Sequence, residues 1–518
     1  MHPKMALFAW LSWSARRYEA KNSVLRDRLE RVSDAVGQIC DLSGVPGASI
    51  GVVHNGEIFH TFNYGKSDKG ADIDMTSDTV LGVGSITKSF IAAGLSSFVN
   101  QGRISWNTTI KEILPEFKQI DPFVEKSLTI SDILSHRSGL AGFGDMNIAF
   151  QGDGDMLVPK SSLFNLIETF PTQFPLRSDW SYFVWGYALA GEVIERLSGM
   201  DLASYIGETL LQPLGLNATT FDPDSVDERK FAKPYAGLSD GTAFKLHKLQ
   251  EFKDTFFEAS GGLYSSVNDM MFGVIGDNVD LLGGIQGHPT LGSVKDERRL
   301  MIYHQGSTVG YYSFIAMFPK TESAVVVLVN SIGLSDAADW IARVMIKSLF
   351  NLQDGHDYVA LAKEANANAI QEYETLKQKI NGIKEACICK ISTGQSSFIG
   401  RYEHPHKPFH IDISPSPNND ADLVLRFQGL EDQAYTLRRL CEHQFEWSLT
   451  HDESKKRGRY HNAEFATYVF DFEMDKENRA VSLLWALDPL FPERKETFNL
   501  NLERTDSNIV SEAQRVMG

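Results

Sequence analysis

Residues 82–90 read GVGSITKSF, with Ser85 and Lys88 three positions apart just where a helical pattern begins. Residues at i and i+3 share one face of a helix, so the hydroxyl and the amine are placed to meet. A lysine that is partly desolvated beside a serine can lose its own proton and accept the serine's. The pattern S-x-x-K arises by chance about once or twice in a chain of this size, and here it occurs once. The alternative is a surface serine beside a solvated lysine, so the rest of the sequence must decide between them.

The surroundings of Ser85 suit a nucleophile. Gly82 and Gly84 precede it, and the run ITKSFIAAGLSSFVNQG that follows has helical periodicity and ends at Gly102. A serine at a helix N-terminus lies near free backbone N–H groups and the positive end of the helix dipole. Both favour a developing oxyanion and an ionised nucleophile.

A second serine motif competes with the first. Residues 47–51 read GASIG, which matches the G-x-S-x-G elbow of α/β-hydrolases. That elbow requires a strand before the serine and a helix after it, whereas Ser49 continues into the strand-like run GVVHNGEIF. We therefore expect Ser49 to be an ordinary strand residue.

Composition narrows the possible partners. The 518 residues suggest two domains, and 42% hydrophobic with 23% charged residues is an ordinary globular composition. The formal charge of −17 argues against nucleic acid and anionic membrane surfaces as partners.

The 14 histidines do not cluster at metal-ligand spacings, and His404 and His406 fall in a loop of the second domain. We therefore expect no metal and no cofactor.

The number and spacing of the cysteines indicate the redox state of the cellular compartment. Four are present, at positions 40, 387, 389 and 441, without the C-x-x-C spacing of a zinc or redox site. We expect reduced structural thiols in a reducing compartment. The N-terminal apolar stretch is brief and is followed by Arg16 and Arg17, which makes a poor signal peptide. The sequence therefore predicts a cytoplasmic protein without a membrane partner.

The order of predicted elements indicates an α+β architecture. Residues 18–43 have the pattern of an amphipathic helix, and ASIGVVHNGEIFHTFNYG predicts two strands around the turn 54–57. A mostly helical region from about 105 to 215 precedes the strand-like runs RLMIYHQGS, GYYSFIAMFP and SAVVVLVN. Short strand-like runs at close intervals follow a polar helical stretch. The predicted parts are an N-terminal helical segment (1–43), a catalytic domain (44–352), a helical linker (353–395) and a β-rich domain (396–518).

The segment from about 40 to 350 resembles the serine β-lactamase and penicillin-binding-protein superfamily, in particular its class C, D-alanyl-aminopeptidase, carboxylesterase and transesterase branch. The resemblance extends beyond S-I-T-K to VPGASIGVVHNGEI, LTISDILSHRSGL, YFVWGYALAGEVIERLSG, LLQPLGLNATTF, ASGGLYSSVNDM and HQGSTVGYYS, which follow the family order. It implies a β-lactamase/transpeptidase-like domain with a mixed antiparallel sheet flanked by helices. A small antiparallel β domain follows it, and a lipocalin-like barrel is one form that such a domain takes.

The resemblance also implies catalytic roles. Ser85 stands at the position of the acylated nucleophile and Lys88 at that of its proton partner. Tyr182 stands where the Y-x-N motif places a tyrosine that relays protons to the leaving group. Without that register, Tyr182 would be interpreted as a core aromatic residue. His136 and Arg137, in LSHRSGL, lie in a segment that supports the site structurally.

A third motif implies substrate contacts. The residues H-Q-G at 304–306 stand where relatives carry K-T-G or H-x-G. His304 would line the site, Gly306 would let the substrate pack against the strand, and the N–H of Ser307 would form an oxyanion hole with that of Ser85. A half-buried strand histidine is the alternative for His304.

Two positions depart from the family pattern. Val184 replaces the asparagine of Y-x-N and is followed by Trp185, and both are predicted to contact substrate. Valine cannot make the hydrogen bonds of that asparagine, and His304 replaces the lysine that anchors a β-lactam carboxylate. These changes favour an apolar acyl or ester substrate over penicillin.

The sequence therefore predicts a serine acyl-transfer enzyme that acts on a small-molecule ester, thioester or amide through an acyl-enzyme. It is an esterase or amidase if water accepts the acyl group, and an acyltransferase of secondary metabolism if a metabolite does. The alternatives are a β-lactamase or D-amino-acid peptidase, or a non-catalytic scaffold of the same fold. The oligomeric state is left open.

Overall fold

The computed structural model describes residues 22–142, 156–247, 252–271, 291, 295–387, 392–417, 419, 422–488 and 491–501. These residues form two compact units. The first comprises the described parts of Met1–Ile86, Pro223–Lys245 and Tyr264–Asn368. The second comprises those of Thr87–Asp222, Leu246–Leu263 and Ala369–Gly518. Both units are discontinuous in sequence, and the predicted boundaries after residues 43, 352 and 395 stay predictions.

A six-stranded antiparallel sheet forms the centre of the first unit, with strand order β3-β2-β1-β10-β9-β8. Its strands are β1 (Gly47–His54), β2 (Glu57–Asp68), β3 (Ile73–Asp74), β8 (Ile302–Thr308), β9 (Tyr311–Phe318) and β10 (Ser323–Val329). The predicted hairpin is confirmed, because β1 and β2 pair with His54 opposite Glu57. The two turn residues have positive φ, 54° at Asn55 and 75° at Gly56, which explains the asparagine–glycine pair. The first and last strands of the domain thus meet in one sheet.

Helices cover one face of this sheet. They are α1 (22–30), α2 (Ser33–Ser43) and α13 (Ala337–Phe350), joined by the first turns of α14 (Tyr358–Cys387). A turn at residues 31–32 separates α1 from α2, so the single helix predicted over 18–43 is two helices in its described part. Alternate residues of β10 and the fully buried Trp340 of α13 belong to the same apolar core. Burial of this apolar surface stabilises the sheet that carries the third motif.

Smaller strand pairs complete the first unit. A three-stranded sheet has the order β11-β5-β6, with β5 (Tyr235–Gly237), β6 (Ala243–Lys245) and β11 (Ser331–Ile332). The short strands β4 (Leu81–Gly82) and β7 (Tyr264–Ser265) pair antiparallel just before the 3₁₀ turn Gly84–Ile86. Residues 267–270 form the short helix α12 (Val267–Met270).

The second unit contains the helices between the early and late strands. They are α3 (Thr87–Asn100), α4 (Ile110–Ile113), α5 (Pro122–Ser127), α6 (Ile130–Leu134), α7 (Leu163–Glu168), α8 (Val184–Ser198), α9 (Leu202–Ile206), α10 (Gln212–Leu214) and α11 (Glu258–Gly261). A π-helical turn, Gly207–Leu211, joins α9 to α10. Helix α6 begins with a capping box in which Thr129 and Asp132 bond each other's backbone N–H. Helices α3, α8 and α11 pack against one another.

The predicted C-terminal β domain is a closed eight-stranded antiparallel barrel in which every strand pairs with its sequence neighbours. The strands are β12 (Gly400–Glu403), β13 (His410–Pro415), β14 (Leu423–Phe427), β15 (Ala434–Arg439), β16 (Gln444–Glu446), β17 (Val469–Met474), β18 (Ala480–Trp485) and β19 (Glu496–Leu500). Helix α15 (His451–Lys456) lies between β16 and β17. Rings of Phe427, Trp447, Phe470 and Trp485 contact one another and are buried. Side chains therefore fill this part of the barrel.

The predicted helical linker is α14. Its residues up to Asn368 belong to the first unit, and those from Ala369 belong to the second. Tyr358 and Ala362 are part of the apolar core of the first unit. Further along the helix, Lys384 Nζ pairs with the buried Glu446 of the barrel at 2.8 Å. Burial alone would raise the pKa of Glu446, but this pair and the bidentate Arg438 lower it to about 2. The helix is thus a packed structural element along its length.

The prediction of reduced cysteines is wrong for two of them. A disulfide joins Cys387, the last residue of α14, to Cys441 of the barrel. Their spacing of 54 residues carries no recognisable sequence signal. Cys40 is free and buried, and burial raises the pKa of its thiol, so that cysteine is an unreactive packing residue. Cys389 lies outside the described residues.

Candidate active site

Ser85 lies in the 3₁₀ turn Gly84–Ile86, which runs directly into α3, and its side chain is partly exposed. Gly84 has φ +52°, a left-handed conformation that side-chain-bearing residues rarely adopt. A Cβ on Gly84 would also stand 2.5 Å from the backbone nitrogen of Ser307 and 2.8 Å from its carbonyl oxygen. Glycine is therefore required here, because the backbone before Ser85 is pressed against that of Ser307.

Strand β8 approaches the same turn through a second glycine. A Cβ on Gly306 would overlap the Val83 carbonyl oxygen and the Ser313 Oγ. Ser313 Oγ itself donates to that carbonyl oxygen at 2.8 Å, which ties β9 to the turn as well. The protein's own backbone thus excludes a side chain at Gly306, whatever the substrate does there. Together the two glycines let β8 lie close against the backbone that leads into the turn of Ser85.

Lys88 is the second residue of α3 and is 3% exposed. Its Nζ donates to the Ser260 carbonyl oxygen of α11 at 2.6 Å. The same Nζ lies 5.1 Å from the ring centroid of Tyr182 and 5.4 Å from that of Tyr187. Burial lowers the pKa of Lys88 well below its ordinary value of 10.5, which favours the neutral amine. Such an amine can accept a proton.

Tyr182 is partly exposed and stands two residues before α8. Its ring packs against that of His136, with centroids 4.5 Å apart. Trp180, 45% exposed, lies 6.5 Å from the Tyr182 ring by the same measure. The structure thus brings Tyr182 to Lys88, as the register of the sequence motif predicts, and surrounds the pair with aromatic rings.

The remaining predicted substrate contacts are mostly buried. His304 is 4% exposed and its Nδ1 contacts the Gln305 carbonyl oxygen. Val184, at the start of α8, is 8% exposed. Ser307 is partly exposed, and its Oγ is buried without a hydrogen-bond partner in the described part of the chain. The roles proposed for these residues stay predictions.

Trp185 is a core residue in this structure. It is 1% exposed, and its Nε1 donates to the Gly142 carbonyl oxygen at 2.8 Å. Its ring stacks on Phe256 and contacts Phe170 and Phe257, with centroids 5.0 to 5.2 Å away. These contacts account for the residue by packing and give no support to the prediction that it touches substrate.

Ser49 is the strand residue that the sequence predicts. It lies in β1, is fully buried, and its Oγ donates to Asn63 Oδ1 at 2.8 Å. No helix follows it, because β1 continues to His54. The G-x-S-x-G match is therefore coincidental.

Three residues that contact Lys88 or Tyr182 were not predicted as site residues: His136, Tyr187 and Ser260. Ser260 and Tyr187 lie in the family stretches ASGGLYSSVNDM and YFVWGYALAGEVIERLSG, but nothing in the sequence pairs either with Lys88. Within the described ranges, no group of three or more His, Cys, Asp or Glu residues is placed to hold a metal ion. None of the described helices combines the length and the apolar character that a membrane crossing requires.

The described fold is a β-lactamase/transpeptidase-like domain followed by a closed antiparallel barrel. The chain belongs to the beta-lactamase family, whose model, described as Beta-lactamase, matches residues 32–346. The predicted superfamily and fold class are confirmed, and the family's members are serine hydrolases.

Curated relatives match over part of their length. "Penicillin-binding protein 4" of Amycolatopsis lactamdurans is 28% identical over 193 residues, which are 37% of this chain and 49% of that protein. "Unguisins hydrolase ungD'" of Aspergillus campestris is 30% identical, over 36% of this chain and 35% of that protein. "Esterase EstB" of Burkholderia gladioli is 30% identical, over 43% of this chain and 64% of that protein. The chain thus spans about one to two thirds of the length of these relatives.

Two solved structures share the fold. The octameric penicillin-binding protein homologue from Pyrococcus abyssi is 20% identical with a TM-score of 0.52, and the match covers 91% of this chain and 99% of that one. The D-amino acid amidase from Ochrobactrum anthropi, solved with L-phenylalanine amide, is 19% identical with a TM-score of 0.50. Its match covers 63% of this chain and 99% of the amidase.

Proposed function

We propose that the protein is a serine acyl-transfer enzyme that forms an acyl-enzyme on Ser85 from small-molecule esters, thioesters or amides. The observation that carries the proposal is Lys88: its amine is buried, its pKa is lowered well below 10.5, and it lies three residues after a partly exposed serine. A buried lysine without a catalytic task is costly, because desolvation disfavours its charge. As a general base, the same residue benefits from that burial.

The acylation step follows from these groups. The Ser85 oxygen bonds to the substrate's carbonyl carbon while its proton passes to the Lys88 amine. The bond to the leaving oxygen, sulfur or nitrogen then breaks, and the Tyr182 phenol relays a proton to the leaving group. Water or another acceptor then attacks the acyl carbon and gives up its proton through Tyr182 and Lys88. The bond to the Ser85 oxygen breaks, which releases the acyl group and restores the serine hydroxyl.

The N–H groups of Ser85 and Ser307 are proposed as the oxyanion hole. The close backbone approach at Gly84 and the excluded side chain at Gly306 support this, because both hold β8 against the turn that carries the nucleophile. Preorganised N–H donors of this kind lower the barrier of acyl transfer by about 3–4 kcal/mol each.

The substrate is proposed to carry an apolar acyl or ester group. Val184 offers neither a donor nor an acceptor to an amide substrate, in contrast to the asparagine of Y-x-N. The esterase and hydrolase relatives and the amidase fold support hydrolysis of esters or amides. Transfer to a metabolite, as in secondary metabolism, is the finer alternative, since the same acyl-enzyme serves both reactions.

Intact-protein mass spectrometry with a panel of p-nitrophenyl esters and nitrocefin tests the proposal. We expect an acyl adduct on the wild type and none on Ser85→Ala, while Ser49→Ala, a buried serine of β1, acylates like the wild type. The acyl chain that labels fastest outlines the specificity. A folded wild-type sample that takes no acyl group from any ester or β-lactam would refute the enzyme and favour the non-catalytic scaffold.

The proposed cytoplasmic location needs its own test, because the disulfide of Cys387 and Cys441 is typical of oxidising compartments. Thiol labelling of the endogenous protein, with and without prior reduction, measures its oxidation state. Two labelled cysteines that appear only after reduction would contradict the cytoplasmic prediction.

A further inference from the structure

His136 contacts three consecutive residues of the chain that leads into α8. Its carbonyl oxygen accepts the N–H of Ser181 at 3.1 Å. Its Nδ1 accepts the N–H of Phe183 at 2.9 Å. Its ring packs against the ring of Tyr182 between them, with centroids 4.5 Å apart. One residue therefore fixes the backbone on both sides of Tyr182 and the side chain as well.

The same imidazole also reaches Tyr187, with ring centroids 5.6 Å apart. The rings of Tyr182 and Tyr187 are the two aromatic faces within 5.1 and 5.4 Å of Lys88 Nζ. Both rings that flank the Lys88 amine thus contact the ring of His136. Movement of the imidazole would change the position of both relative to Lys88.

The backbone of His136 is itself unusual. Its φ is +57°, in the left-handed region that a histidine adopts at an energetic cost, and it is 1% exposed. Because a backbone N–H can only donate, the contact with Phe183 requires a lone pair on Nδ1. The neutral ring therefore carries its proton on Nε2. The structure maintains a strained conformation that makes these bonds possible.

From these contacts we infer that His136 is a positioning residue that sets the Tyr182 phenol against the Lys88 amine. The inference rests on the proposed function, because it assigns His136 a task in the acylation step. His136 acts through Tyr182 and exchanges no proton with the substrate. If His136 only packed in the core, its replacement would lower stability but would not change the acylation rate per folded molecule.

The decisive experiment is a double-mutant cycle on the acylation rate constant, measured by stopped flow with p-nitrophenyl esters and normalised to folded protein. His136→Leu removes the Nδ1 acceptor. His136→Asn tolerates the left-handed backbone and keeps an acceptor oxygen, but lacks the ring. Each is combined with Tyr182→Phe. His451→Leu, which removes a buried histidine of the barrel, is the matched control.

We expect His136→Leu to slow acylation about 100-fold, since a displacement of about 1 Å has that effect on a catalytic group. His136→Asn is expected to slow it about 10-fold, because only the ring contacts are lost. In the Tyr182→Phe background both effects should shrink below about 3-fold, because the phenol they position is gone. The His451→Leu control should acylate at the wild-type rate.

Two kinetic results would overturn the inference. The first is a wild-type acylation rate in His136→Asn, which remains measurable if His136→Leu fails to fold. The second is an undiminished effect in the Tyr182→Phe background. Either leaves the acyl-enzyme proposal standing, whereas a wild type that never acylates removes that proposal. Hydrogen exchange of the peptide that contains Phe183 gives a readout independent of activity: without faster exchange in His136→Leu, the inference fails.

Discussion

Gly84→Ala tests the geometry around the nucleophile most directly. The new Cβ would stand 2.5 Å from the Ser307 nitrogen and 2.9 Å from its carbonyl carbon, closer than real Cβ atoms come to other atoms. Relief of this overlap requires a shift of about 1 Å and costs about 1–3 kcal/mol, as overpacking does elsewhere. The left-handed backbone, φ +52°, adds about 1–2 kcal/mol. We therefore expect a loss of about 2–5 kcal/mol in the free energy of unfolding.

The acylation rate of the folded protein should fall as well. A shift of about 1 Å between the turn and β8 separates the N–H groups of Ser85 and Ser307, so acylation should slow about 100-fold per folded molecule. Stability is measured by denaturant unfolding, monitored by tryptophan fluorescence. The acylation rate is measured by stopped flow with a p-nitrophenyl ester. Substrate binding is measured in parallel as KM, which a purely local overlap should change little.

Gly102→Ala is the matched control. Gly102 has a similar positive φ, +69°, but a Cβ there meets nothing within 4 Å. It should therefore lose only the backbone part, about 1–2 kcal/mol, and acylate at the wild-type rate. If Gly84→Ala behaved like Gly102→Ala in both assays, the close approach of Ser307 would have no energetic or catalytic weight. The proposed oxyanion hole would then lose its structural support.

Four further changes probe other parts of the molecule. Lys88→Ala should slow acylation by about 10³-fold or more with the fold preserved, whereas a rate near wild type in the mass assay would move the base elsewhere. Val184→Asn should raise the nitrocefin rate relative to that with p-nitrophenyl esters; an unchanged ratio would separate this position from substrate choice. Cys441→Ser opens a disulfide loop of 54 residues and should lower the free energy of unfolding by about 4 kcal/mol. Equal denaturant midpoints of the wild type with and without reductant would contradict this expectation. The pKa of Glu446 is about 2 in the folded barrel, against an ordinary 4.5; its stabilisation is therefore complete above pH 4.5 and should be lost as the pH falls towards 2. Glu446→Gln should flatten that acid limb of the unfolding curve.

Local signals in the sequence predict the fold well. The hairpin at His54–Glu57 follows from its asparagine and glycine, and the structure gives both residues the positive φ that such turns require. The helix after Ser85 and the succession of short strands in the barrel follow from hydrophobic periodicity. In these places the structure-determining interactions lie within a few residues of one another.

The surroundings of Lys88 could not be predicted in the same way. Its acceptor, the Ser260 carbonyl, lies 172 residues away, and a backbone carbonyl has no residue-type signature. His136 belongs to a recognisable stretch, but its contacts with Ser181 and Phe183 depend on a left-handed backbone that a sequence pattern does not reveal. Trp185 was predicted as a substrate contact but is packed in the core. Its place beside Val184 in the sequence does not reveal the direction of its ring. Long-range packing decides each of these.

The strand edges have a consequence for the behaviour of the protein at high concentration. Exposed edges invite strand-to-strand stacking between copies and hence aggregation. The barrel is closed, so its eight strands offer no such edge. One edge of the six-stranded sheet is the two-residue strand β3, where Lys66 pairs with Asp72 and Asp74 at 2.9 and 2.7 Å. A very short strand flanked by charges is a poor template for another chain, so strand addition is disfavoured at β3 itself and at the closed barrel.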